Sequence, residues 1–465
     1  MKRRDFLTTT GAAVAASLLA SPLQAAVAGA PKTRLAMVGT GSRGNGFWGK
    51  RVLNEYGDIV EFVGLCDINP GRVEYAKKFI GANCPTFTNF DEMLVKTKPD
   101  MVIVTTIDAT HDQFIIKALE FGCNVLTEKP MTTDELKCQA ILDAERRTGK
   151  KVIVGFNYRY ATQVTKIKEL LAANRVGKIT SVDFHWYLNT YHGADYFRRW
   201  HGYRDKSGTL LVHKSTHHFD LLNWMIDSDP VEVSAYGSLD HYGKNNSFRG
   251  PNCRACGHRE KCKFYYDITK NKEYMQLYVA NEKYDGYIRD NCLWREDIDI
   301  FDKMAVQIKY ANGVQVSYSL TTYSPYEGWT IAFNGMDGRI DSWEGIPWRQ
   351  AEIVSQAELH AREMSQKKEA TDLYDEIMVS DNFGKYELVK VPRIRAGHGG
   401  GDARLQDKIF RNPNMEDPYK HAAGTRDGAM SCLIGVAARK SIDENRIIRI
   451  EELTDIKPHP TRGII

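Results

Sequence analysis

The stretch Arg34–Gly44, RLAMVGTGSRG, constrains this chain more than any other. A short apolar run ends in three glycines spaced G-x-G-x-x-G, the pattern of a buried strand that turns into a helix around a diphosphate. Leu35 to Val38 supply the strand. Gly39 permits the tight turn, Gly41 lets an anion approach the backbone, and Gly44 lets the next helix pack close. Free N–H groups at the helix start then face the anion, with Ser42 and Arg43 beside it.

The same spacing occurs in loops that bind nothing, so context decides. A second apolar run, Ile59–Cys66, follows a helix-length gap and ends at Asp67, 23 positions beyond Gly44. An acid there accepts from a ribose 2′-hydroxyl and repels a 2′-phosphate, which favours NAD over NADP. Arg72, five positions further, keeps NADP open. Strand and helix signals then alternate. Pro85–Phe87 is a short strand before a capped helix, Asp100–Thr105 a clear strand, and Gln113–Phe121 a helix stopped by Gly122. Asn124–Thr127 is the next strand, Thr133–Thr148 an amphipathic helix and Lys151–Gly155 a closing strand. Such alternation implies a doubly wound parallel sheet that binds ligands at its carboxyl edge.

Residues 1–30 stand outside that pattern. Lys2-Arg3-Arg4-Asp5-Phe6-Leu7 followed by an Ala-rich apolar stretch reads as a twin-arginine export signal, with Ala25 or Ala30 suited to cleavage. Gly11–Ala20 is short for a spanning helix, and Ser21-Pro22 breaks it. The remaining chain is long enough for two cores. With 63 basic and 59 acidic residues, it offers no field for nucleic acid.

Several further marks, in one order along most of the chain, give a resemblance to the Gfo/Idh/MocA oxidoreductases. They are Gly39-x-Gly41-x-x-Gly44, Glu128-Lys129-Pro130, Asn157-Tyr158-Arg159, Trp200-His201 ahead of Ser207-Gly208, and His217-x-x-Asp220. The resemblance implies an α/β chain: a Rossmann unit at 31–155, then an α+β unit at 156–465 with an open, mainly antiparallel sheet. It also implies a homo-oligomer. Ser181–Tyr187 alternates as a strand, and Met304–Tyr323 reads as two strands joined at Asn312-Gly313. Trp329–Phe333 and Gly338–Trp343 form another pair, and the helix Gly424–Ser441 returns to cover the core.

By the same resemblance, Thr105, His111, Glu128, Lys129, Trp200 and His201 border the cofactor with the glycine loop and Asp67. His201 departs from the family's arginine. Lys129 would hold a substrate oxygen, its pKa lowered by burial and by the positive nicotinamide ring. The family places an acid and a histidine as D-x-x-x-H on one helix; here His213 replaces the acid and His217 falls on the histidine. His217 is expected to take the hydroxyl proton, His213 to tune it or act elsewhere on the ring, and Lys214 and His218 to point away. Tyr158, Arg159, Tyr191 and His192 are expected on the substrate, among aromatic and polar groups suited to a sugar.

Nine cysteines divide into two groups. Cys66, Cys84, Cys123, Cys138 and Cys432 lie in apolar segments as small core residues. Cys253, Cys256, Cys262 and Cys292 cluster in an insertion at about 240–300. They suit either structural zinc or two disulfides, in a lid over the sugar cleft.

Export constrains the chemistry further, because no pool of free NAD(H) is expected outside the cytoplasm. The hydride must therefore return within the site. Either one sugar is oxidised and another carbonyl reduced, or, as in the superfamily's NAD-dependent glycosidases, a transient 3-keto sugar permits elimination and water addition. A non-catalytic dinucleotide-binding scaffold or sensor is the third reading.

Overall fold

Side chains alternate between two cores along Thr33–Val38 (β1), and this strand organises the first half of the chain. Leu35 and Met37 enter one apolar cluster, with Phe47, Trp48 and Ile103, while Ala36 and Val38 enter the other. A strand buried on both faces needs parallel neighbours with helices above and below. The computed structural model, which describes residues 31–347, 369–395 and 397–463, shows that arrangement. Residues 1–30, where the export signal falls, lie outside the described residues.

Val60–Cys66 (β2), Thr86–Phe87 (β3), Met101–Val104 (β4), Asn124–Thr127 (β5) and Val152–Val154 (β6) join β1 in the order β3-β2-β1-β4-β5-β6, all parallel. Order reverses between β1 and β4, so their carboxyl ends open a crevice. The helices between them stop as their sequences direct. Asn89 caps Phe90–Thr97 by accepting from the Glu92 amide, and Gly122, at φ 99°, ends His111–Phe121.

The second sheet runs β14-β13-β12-β11-β7-β10-β9-β8-β15. Its strands are Ile179–Asn189 (β7), Pro230–Ser238 (β8), Lys303–Tyr310 (β9), Gln315–Ser324 (β10), Gly328–Gly335 (β11), Gly338–Glu344 (β12), Glu369–Asp381 (β13), Tyr386–Arg395 (β14) and Ile448–Arg449 (β15). All these pairings are antiparallel except β7 with β10. Period-two burial along β9 and β10 leaves one face to the helices Ser215–Ile226 and Thr425–Glu444 and the other open.

The expected hairpin is present, with Gly313 at φ 91°. The expected continuous helix through His213 and His217 is not. A short helix, Leu210–His213, ends before Lys214, and a second begins at Ser215. Packing explains the break: Gly435 of Thr425–Glu444 comes so close that a Cβ there would lie 2.4 Å from the Leu211 carbonyl oxygen.

Candidate active site

Local sterics build the glycine loop. A Cβ on Gly39, at φ 92°, would lie 2.5 Å from the Thr105 carbonyl carbon, and one on Gly44 would lie 2.4 Å from the Gly39 oxygen. Thr105 Oγ1 donates to that same oxygen at 2.5 Å. Gly41 differs: among the described residues a Cβ would meet within 4 Å only the Tyr278 hydroxyl, at 3.5 Å. Among the described residues nothing forbids a side chain there, so the glycine fits close approach by a ligand. We expect Gly41→Ala to fold with an unchanged melting temperature yet lose NADH binding, followed by fluorescence. Gly39→Ala should fail to fold.

Asp67 is tied to this loop, accepting from the Thr40 amide at 2.8 Å, its hydroxyl at 3.0 Å and the Asn69 amide at 2.9 Å. Arg72 approaches Asp67 at 3.3 Å and pairs with Asp285, so two carboxylates already answer its charge. Glu128 accepts from Arg43 Nε at 2.6 Å and from Trp48 Nε1 at 2.8 Å, locking the loop's helix to the end of β5. Burial opposes the Glu128 charge, but Arg43 and Lys129 together hold its carboxyl below the usual range. His111 braces the wall, one ring nitrogen 2.9 Å from the Pro130 carbonyl oxygen.

Lys129 follows Glu128 and precedes Pro130 across a cis peptide. Its ammonium donates to the His213 carbonyl at 3.0 Å, and burial lowers its pKa to about 8 against the pull of Asp108 and Glu128. Asp108 lies 2.5 Å from His213 Nδ1. The acid absent from the D-x-x-x-H position is thus supplied from beyond β4. Burial raises the Asp108 carboxyl and depresses the His213 imidazolium. His201 stacks on Trp200 at 3.6 Å and meets the His213 ring edge at 4.2 Å.

His217 is buried, and among the described residues its Nδ1 has no hydrogen-bond partner. Tyr158 packs edge-on against it at 5.2 Å, and His398 lies 5.9 Å away. Burial, then the charge of Lys129, keeps its pKa well below the ordinary histidine value. A buried neutral imidazole whose ring nitrogen has no partner can accept a proton from a hydroxyl bound against it. His398 comes from a glycine-rich stretch, at φ 50°, and its Nδ1 sits 2.9 Å from Asp402 and 3.0 Å from Asn157 Nδ2. Sequence reasoning passed over this group, although His398 and Asp402 flank three glycines.

Other expected residues stand differently. Arg159, 1% exposed, is clamped by Asp220 at 2.5 and 2.8 Å and by Asp427 at 2.9 Å, so it belongs to the frame rather than to a substrate surface. Tyr191 is exposed, whereas His192 is held between Glu327 at 3.0 Å and the Tyr196 hydroxyl at 3.1 Å. His218 points away as expected, stacked on Trp186 at 4.0 Å and bonded to Tyr318 at 2.7 Å. Lys214 does not point away from the site's charges. Its ammonium lies over the Trp186 ring at 4.9 Å, and its charge, after burial and Lys129, adds to the depression of His213 and His217.

The five scattered cysteines are buried as expected, and the reading of the insertion's four as paired or metal-bound is corrected. All nine are free thiols, and among the described residues no group of three or more His, Cys, Asp or Glu is placed to hold a metal. Cys253, Cys256, Cys262 and Cys292 do line one small pocket. Arg198 donates to Cys253 Sγ at 3.1 Å, while the Cys253 amide bonds the Asp290 carbonyl at 2.8 Å and Arg254 pairs with Asp290 and Glu282. Polar contacts and ring packing hold the insertion.

Fold and glycine cradle together define an NAD-binding oxidoreductase. Residues 33–156 match the oxidoreductase family's NAD-binding Rossmann fold, and residues 168–450 match its C-terminal alpha/beta domain. The chain belongs to the Gfo/Idh/MocA family. YteT of Bacillus subtilis, an oxidoreductase by name, is 35% identical over 437 residues, spanning 89% of this chain and 97% of YteT. Glucose-6-phosphate 3-dehydrogenase of Bacillus subtilis is 25% identical over 246 residues, 48% of this chain and 68% of that protein. The dehydrogenase WlbA of Bordetella pertussis, solved with NADH and UDP-GlcNAcA, shares the fold at TM-score 0.59 and 17% identity, over 90% of this chain and 99% of WlbA.

Proposed function

We propose that this protein oxidises a hydroxyl of a sugar or sugar derivative, using tightly held NAD that is recycled in the same site. The observation that carries the reading is buried His217, whose Nδ1 has no hydrogen-bond partner among the described residues and whose ring feels the charge of Lys129, itself buried with a lowered pKa. Bound NAD would accept the hydride from the hydroxyl-bearing carbon and return it to a second carbonyl. His217 takes the hydroxyl proton, Lys129 holds the oxygen as it becomes a carbonyl, and the reverse transfer protonates the second sugar. Asp67 suits a ribose diol, and the two carboxylates around Arg72 weigh against a 2′-phosphate. The sugar class is supported by the name of glucose-6-phosphate 3-dehydrogenase. The twin-arginine pattern supports export to the periplasm or beyond, and the open face of the second sheet, with Tyr236 78% exposed, suits a second copy.

A second reading rests on His398. With Tyr158 and His217 it supplies more acid and base groups than one hydride transfer requires, which suits a redox-neutral glycosidase acting through a 3-keto sugar. Mature protein without added nucleotide, incubated with glycosides and keto-sugars and followed by mass, separates the two. We expect a product two hydrogens lighter that accumulates only when a second carbonyl sugar is supplied. Cleaved sugar without net oxidation would establish the glycosidase. Silence with nucleotide bound would leave a scaffold and sink both.

A further inference from the structure

The insertion between β8 and β9 does not simply roof the sugar side; it crosses to the dinucleotide loops. Tyr278 Oη accepts the Ser42 amide hydrogen at 2.9 Å and is the atom nearest the open side of Gly41. Those are the two backbone positions that the glycine motif reserves for a diphosphate. Three residues on, the Asn281 carbonyl accepts from Asn69 Nδ2 at 2.9 Å, and Asn281 Oδ1 would lie 1.8 Å from a Cβ on Gly71. Asp285 then pairs with Arg72, which also touches Asp67. The loop is braced from within: Asn281 Nδ2 donates to the Gln276 and Leu277 carbonyls at 2.9 and 3.0 Å, and Leu277 is fully buried. At its far end Arg289 reaches Asp195, on the helix Thr190–Arg198 of the substrate side, at 2.7 Å.

We propose that Tyr278 is a ligand of the cofactor's diphosphate and that residues 267–290 form a clasp that sets the rate of nucleotide release. This rests on the NAD reading above. A phenol both accepts and donates, so the hydroxyl that accepts from Ser42 can instead donate to a phosphate oxygen while the Ser42 amide donates to the same group. Asn281 and Asp285 keep the clasp seated over the ribose corner. Nucleotide leaves only when Tyr278 and the Arg72–Asp285 pair let go together.

The test uses the mature full-length chain loaded with NADH and chased with excess NAD, release being read as loss of nicotinamide fluorescence. Tyr278→Phe is expected to release NADH roughly ten-fold faster, the size of one charge-assisted hydrogen bond. Asp285→Asn should also speed release, and both variants should keep the wild-type melting temperature. Release at the wild-type rate from the two folded variants would overturn the clasp. A lowered melting temperature with unchanged release would overturn it too, leaving a structural brace. Wild-type protein that binds no NADH would overturn the parent reading instead.

Discussion

Replacing Lys129 by methionine is expected to lower kcat about a thousandfold, the scale of a lost proton-handling group, while NADH remains bound. The lysine sits where burial brings its pKa to about 8, below the ordinary amine, with Asp108 and Glu128 pulling the other way. If the charged amine must hold the substrate oxygen, activity declines as pH rises through about 8. The acid limb falls below the ordinary histidine range, because His217 stays neutral until its depressed pKa is reached. Lys129→Arg keeps a charge that does not titrate, so its remaining activity should lose the alkaline limb. Steady-state rates across pH 5 to 10 check both points; an alkaline limb unmoved in Lys129→Arg would remove Lys129 from the assigned role.

A large, measurable loss of stability is expected at Arg159. Its guanidinium, 1% exposed, neutralises Asp220 and shares Asp427 with Arg462. Burial pushes the Asp220 carboxyl up to about 6 even with Arg159 beside it. Arg159→Met strands that carboxylate and should destabilise the protein by about 3–5 kcal/mol, read from urea unfolding. Adding Asp220→Asn removes the stranded charge and should restore part of the loss. Equal midpoints for wild type and Arg159→Met would show that the pair contributes nothing net.

The strands were legible because each carries its own signal. β1 reads as an apolar run into glycines, β9 and β10 as strict alternation around Asn312-Gly313, and β4 as a run between two helices. The cradle was legible for the same reason: three glycines and Asp67 are spaced by local geometry. The site's second half was not. Asp108 and His213 lie 105 positions apart, and His217 and His398 further still, so only packing brings them together. The break at Lys214 was equally hidden, since it answers to the approach of Gly435 from a distant helix. Arg159 was misread because a tripeptide matched to a family pattern says nothing about which carboxylates will close on its side chain.

Besides the contacts at the site and along the last long helix, two further stretches of the second half grip the first. The insertion is one; the other is the segment around 406–411, where Gln406 bonds the Phe47 carbonyl at 2.8 Å, Tyr56 bonds Asp407 at 2.6 Å and Arg411 pairs with Asp58 at 2.9 Å. The insertion meets the chain just before the helical segment that follows the glycine loop, at Ser42, and the second stretch runs along that segment from Phe47 to Asp58. Swinging the halves apart would have to break both at once, whereas peeling back the insertion breaks only one. On the proposed reading, sugars would enter and leave past a stationary dinucleotide, and the timescale of substrate traffic would be uncoupled from that of cofactor exchange.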